Sequence, residues 1–176
     1  MSSNNLPEPW LRGSVPGIPA LLQPAAHALL LAREEVEAAA AGLFELELWV
    51  SPGGAASPGF HLQHLSGSTD RLLTYARGEV LSDEQRAALA AEASKDAPRP
   101  SLTDLLARWR VTVDRALEQL TSTSEGILTD ARFVGKARLP STVVGLLFHA
   151  AEHAGRHAGQ LVTTIKIIRG LPPGAW

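Results

Sequence analysis

Residues 141–169 read STVVGLLFHAAEHAGRHAGQLVTTIKIIR, with Pro140 before them and Gly170, Pro172 and Pro173 behind. Proline is tolerated ahead of a helix, while glycine followed by proline ends one. The punctuation therefore predicts a single helix of about 29 residues, near 43 Å long at about 1.5 Å per residue. Leu146, Ala150, Leu161, Thr164 and Ile168 recur along one stripe of that helix, and His149, His153 and His157 stand on it too. A stripe that mixes aliphatic side chains with imidazoles points at a bundle interior. Imidazoles placed there need partners.

Working outward, Ser101 with Asp104 opens another helix, in which Leu102, Leu105, Leu106, Trp109, Val113, Ala116, Leu117 and Leu120 keep helical spacing. Ser57 and Pro58 are a serine cap and a proline at the first helical position, which predicts a helix to about Arg77, just before Gly78. From about Ile18 to Gly42 the chain favours helix, with Ile18, Leu21, Leu22, Ala25, Leu29, Ala32 and Val36 in one stripe. Pro19 fits its first turn, and Pro24 is a local weakness. LSDEQRAALAAEASKD, residues 81–96, reads as a short acidic-capped helix, and DAPRP, residues 96–100, as a break. Residues 121–140 form a small, polar connection in which FVGKARL, residues 133–139, is extended. The expected fold class is all-α: a four-helix bundle with long connections and a short extra helix between helices two and three. Residues 1–15 are expected as an N-terminal strap pinned by Trp10, residues 16–170 as the bundle, and residues 171–176 as a C-terminal tail.

Composition narrows the setting. The 176 residues fit one domain, and at 45% hydrophobic and 19% charged, rich in alanine and leucine, they suit packed helices. Net charge is −2 with the signs interspersed, so no basic stripe offers itself to nucleic acid. With no cysteine there is no disulfide, thiolate ligand or thiol nucleophile. Any metal must then be held by imidazole nitrogen and oxygen. No apolar run is long enough to span a membrane and MSSNNLPEPW lacks the plan of a signal peptide, so a cytoplasmic protein is expected, with neither membrane nor nucleic acid as partner.

Five of six histidines fall in two windows, His61 and His64 in FHLQHLSGS and His149, His153 and His157 in FHAAEHAGRHAGQ. Histidines three or four apart on a helix share a face, so a divalent ion held between two helices is the first hypothesis. Steps of four displace each ring by about 40° and about 6 Å, so neighbours in the last-helix trio can chelate together and the outer two cannot easily do so. Two histidines from one helix and one from another would leave coordination positions open, as catalytic sites do. Glu152, Gln160, Ser68 and Tyr75 are candidate groups to hold the rings. Glu152 is also the candidate base, set against the simpler role of a solvated or helix-pairing carboxylate. His27, alone in helix one, reads as structural.

The pattern GFHLQHLSGSTDRLL, followed some 80 to 90 residues later by HAAEHAGRHAGQL, resembles the DinB family of YfiT-like, metal-binding four-helix bundles. The resemblance covers residues from about 18 to 170. Matched residue by residue, it implies His64, His153 and His157 as the metal ligands, with Gly159 and Gln160 completing the second motif. His61 and His149, one turn before assigned ligands, are the competitors and are given supporting or pocket-lining roles. Where the family often has arginine after its last histidine, this chain has Ala158.

The resemblance further implies a divalent metal, nickel, zinc or iron, and a homodimer. Affinity order alone would favour nickel or copper over zinc, so the donor types do not choose. Relatives include enzymes that use low-molecular-weight thiols such as bacillithiol or mycothiol, so a thiol S-transferase with a low-molecular-weight thiol or other small molecule as partner is the leading expectation. The alternatives are a metal-dependent hydrolase, or a non-catalytic metal-binding or structural bundle.

Overall fold

A computed structural model describes residues 6–94 and 96–172. The first five residues of the expected strap and the last four of the expected tail lie outside the described residues. Among the described residues six α-helices occur, α1 (Gln23–Ala40), α2 (Glu45–Leu48), α3 (Pro58–Ala76), α4 (Asp83–Ala93), α5 (Leu102–Ser122) and α6 (Val143–Gly170), with a hairpin of β1 (Ala131–Val134) and β2 (Leu139–Thr142) ahead of α6. Each of α1, α3, α5 and α6 is long and amphipathic. α6 packs against α1 and α3, and α5 packs against the same two, so the four long helices form an all-α bundle with α4 laid on α3.

Caps fix the boundaries. Ser57 Oγ accepts from Phe60 N at 3.2 Å, Ser101 Oγ from Asp104 N at 3.1 Å and Thr142 Oγ1 from Gly145 N at 3.1 Å. Ser82 and Gln85 form a reciprocal capping box on α4. The last helix begins at Val143 and not at Ser141, because Ala131 pairs with Thr142 and holds residues 139–142 in the ladder. The extended segment expected at 133–139 is split: Gly135 (φ 67°) and Arg138 (φ 50°) turn the chain between the strands.

The interior is aliphatic around one indole. Leu29, Val36, Leu62, Leu65, Leu105, Trp109, Val113, Leu120, Leu147 and Leu161 are at most 1% exposed. Each such aliphatic side chain contributes about 1.5–3 kcal/mol by leaving water. Leu21 departs from the expected stripe and is 66% exposed, because Ala20–Leu22 is a 3-10 turn whose three-residue period moves it out of phase. Pro24 is harmless in the first turn of α1. Trp10 is 59% exposed and does not pin the strap; its indole N–H donates to Glu8, two residues away. The strap is held instead by Gln23, whose amide bonds Val15 and Ile18, by Arg12 paired with Glu34 at 2.6 Å, and by His27, whose Nε2–H donates to Gly13 O at 2.9 Å. His27 thus has a structural role. Among the described residues, no helix is long and apolar enough to cross a membrane.

Candidate metal centre

Contact between α3 and α6 brings the two histidine windows face to face. His64 Nε2 lies 3.0 Å from His153 Nε2, and the His157 ring stands 4.6 Å from that of His64 and 4.5 Å from that of His153, centroid to centroid. One nitrogen from each of His64, His153 and His157 lies within 4.8 Å of the others; no other such group of three ligating side chains occurs among the described residues. Two metal–nitrogen bonds of about 2.0–2.1 Å, meeting at right to tetrahedral angles, hold their nitrogens about 2.8–3.4 Å apart. The His64–His153 spacing fits that requirement.

Protonation fits as well. His64 Nδ1 is 2.9 Å from a carboxylate oxygen of Glu92, which can only accept. A singly protonated His64 therefore keeps its proton on Nδ1 and turns the Nε2 lone pair toward His153. Burial first, and the adjoining ring of His64 second, push both His153 and His157 down to about 4, so each is uncharged near neutral pH with a lone pair to give. The buried Nδ1 of His153 has no hydrogen-bond partner among the described residues. Two uncharged imidazoles, and a third whose Nδ1 faces a carboxylate, are a donor set suited to a borderline divalent ion.

Glu92 comes from the last turn of α4 and was absent from the expected supporting groups. Its side chain is 5% exposed and is bound by Arg71 Nη1 at 2.6 Å and Nη2 at 3.2 Å. Burial alone would raise its pKa, but the bonds from His64 and Arg71 outweigh it and hold the carboxyl below its usual range. Space for the carboxylate comes from Gly67, one turn after His64. A Cβ there would fall on Glu92 Oε1 and lie 2.7 Å from Arg71 Nη1. Phe60 lies on the other side of His64, its ring parallel to the imidazole at 5.4 Å.

The remaining expected residues distribute unevenly. His61 is buried, with Nδ1 3.1 Å from Nδ1 of His157, and touches the cluster through that ring. Its pKa is lowered, mainly by burial. His149 lies outside the interior stripe: its side chain is 49% exposed and 3.4 Å from Glu152. The carboxylate of Glu152 is clamped by Arg156 at 2.6 Å, and that bond holds it below the usual carboxylate range. Ser68 donates to the backbone carbonyl of His64 at 2.6 Å and not to its ring. Gln160 is exposed, because it falls on the solvent side of α6. Tyr75 is eleven residues beyond His64 on α3, about 16 Å along the axis, and lines a different cleft. Ala158 is fully buried in the core, and Gly159 is exposed.

No curated protein matches the chain. A solved structure, that of a conserved protein from Enterococcus faecalis, is similar over 85% of this chain and 98% of its own, with a TM-score of 0.66 and 18% identity. At that identity the likeness speaks for the fold alone. From the second turn of α1 to four residues past His157, over residues 28–161, the chain matches the DinB superfamily, and it is a member of that superfamily.

Proposed function

We propose that the chain is a divalent-metal enzyme of the thiol-transferase type, in which His64, His153 and His157 hold nickel, zinc or iron and a low-molecular-weight thiol binds beside them. The observation that carries this reading is the convergence of three imidazoles with no fourth protein donor in the group among the described residues. A site with three protein ligands keeps room for a substrate, whereas a structural site closes with four. The ion's contribution when bound is Lewis acidity, which favours the thiolate of a bound thiol and so provides a nucleophile to a chain that has no cysteine.

The protein's own residues supply positioning. Glu92 fixes the tautomer of His64, His61 steadies His157, and Phe60 restricts the His64 ring. A hydrolase would need a base near the ion, and Glu152, committed to Arg156, gives that reading little support. The thiol chemistry belongs in a reducing cytoplasm. A homodimer is part of the same proposal, measurable by sedimentation.

Elemental analysis of the purified protein beside His64→Ala, His153→Ala and His157→Ala tests the ligand set. About one ion per chain is expected in the parent and loss in each variant, with retention in His149→Ala. Full retention in all three would sink the assignment. A thiol-transfer assay with bacillithiol or mycothiol and an electrophile then tests the reaction. Metal-replete protein with no rate above the metal-free form would remove the transferase reading and leave the metal site intact.

A further inference from the structure

Away from the histidines, the end of α3, residues 78–81, α4 and the β1–β2 hairpin enclose a cleft of about 710 Å³. That volume lies within the roughly 300–1,000 Å³ typical of small-molecule sites. Its walls carry Tyr75, Leu81, Val80, Leu89 and Phe133. The last three remain 85%, 43% and 43% exposed, an apolar surface left open among the described residues. The charge around this surface is one-sided. Arg86, Arg132, Lys136 and Arg138 line the cleft against a single carboxylate, Glu79.

Glu79 is already taken by Arg77 at 2.7 Å, and Arg86 pairs with Asp83 at 2.5 Å. Among the described residues, Arg132, Lys136 and Arg138 have no carboxylate partner. Arg132 is held in place by Ala76 O at 2.8 Å and Ala131 O at 2.9 Å, which leaves its Nη2 unspent. Arg138 lies 4.3 Å from the centroid of the Phe133 ring. In a chain of net charge −2 this is a local concentration of positive charge set against apolar walls.

We propose that this cleft binds a small organic anion with an apolar body, a medium-chain acyl carboxylate. The apolar walls take the chain, and the hairpin cations take the head. The proposal stands apart from the metal centre, which lies about 16 Å away along α3. A polyanion is disfavoured because the cations are confined to one hairpin and the adjoining end of α4 and do not run in a stripe.

Isothermal titration with decanoate, acetate and decyltrimethylammonium tests it, each run with and without chelator. Decanoate is expected to bind one equivalent, unchanged by chelator, with acetate and the cationic amphiphile showing no saturable heat. The double variant Lys136→Glu/Arg138→Glu is expected to weaken decanoate at least tenfold, and Val80→Asp, at a highly exposed wall position, to weaken it comparably with the melting temperature unchanged. Equal binding of the cationic amphiphile would overturn the proposal, as would an unaltered affinity in both variants. So would absence of decanoate binding, or decanoate acting only by dissociating a dimer seated on the cleft.

Discussion

Replacing Gly67 by alanine puts a methyl group where Glu92 Oε1 now lies, so either the carboxylate or the helix must give way. The obstructing atoms are the ends of the flexible Glu92 and Arg71 side chains, which makes displacement of the carboxylate the cheaper route. Two effects on stability oppose each other. Alanine is better than glycine in a helix interior by about 1 kcal/mol. Loss of the charge-assisted bonds between Glu92 and Arg71, whose side chain is 10% exposed, costs about 1.5–3 kcal/mol. The net expectation is a loss of about 0.5–2 kcal/mol. Metal affinity has no such compensation. His64 loses the acceptor that fixes its tautomer, which is worth about 10- to 100-fold in affinity.

The assay is competition for zinc or nickel against a chromophoric chelator, run beside urea unfolding in EDTA. Glu92→Gln is the companion variant, since it removes the charge without inserting a methyl group. Both are expected to weaken metal binding by about 10- to 100-fold. Wild-type affinity in both, with the fold intact, would refute the reasoning that Glu92 and Gly67 set the metal-binding state of His64.

Acid should weaken the metal-free protein. His153 and His157 are depressed to about 4 from an ordinary 6.5, so the unfolded chain takes up these protons first as pH falls. Their contribution is complete above pH 6.5 and is lost between there and about 4, with His61 acting in the same direction. A urea midpoint in EDTA that does not move across that window would contradict this. Gly59→Ala drives a Cβ to 2.8 Å from three atoms of the Trp49 ring, and a loss of about 1–3 kcal/mol is expected in thermal unfolding. Trp109 is fully buried and its indole N–H has no partner among the described residues, so Trp109→Phe is expected to cost below about 1.5 kcal/mol and Trp109→Ala about 3–5 kcal/mol. A Trp109→Phe cost as large as that of Trp109→Ala would contradict this.

Where a feature depends on neighbours along one helix, it could be read from the chain. Leu105, Trp109, Val113, Ala116 and Leu120 follow the 3.6-residue period and are all buried, and the serine caps at Ser57 and Ser101 sit where the hydroxyl meets the third amide. Leu21 was misplaced because a three-residue period replaced the α-helical one over Ala20–Leu22. His149 was misplaced because steps of four drift around the helix, carrying the first member of the trio toward solvent while the other two face α3. The hairpin was half-visible: its glycine marked a turn, but its pairing depends on residues brought together across that turn.

Glu92 was harder to find, yet the chain carries a physical sign of it. The carbonyl end of a helix is negative, and an acid in the last turn is unfavourable by about 0.3–1 kcal/mol. In α4 the acids Asp83 and Glu84 occupy the first turn, where the dipole favours them, and Glu92 alone sits near the far end. A residue that defies its local preference must be compensated elsewhere. Arg71 and His64, seven residues apart on α3 and so on one face, supply that compensation, and Gly67 between them leaves the opening. The local penalty is smaller than the gain from either charge-assisted bond, so α4 docks with its acid turned inward. On this argument, moving the acid one residue along α4, as Glu92→Ala with Ala91→Glu, should relieve nothing. The carboxylate would keep its unfavourable place in the dipole and lose both partners, and metal affinity should fall as far as in Glu92→Gln.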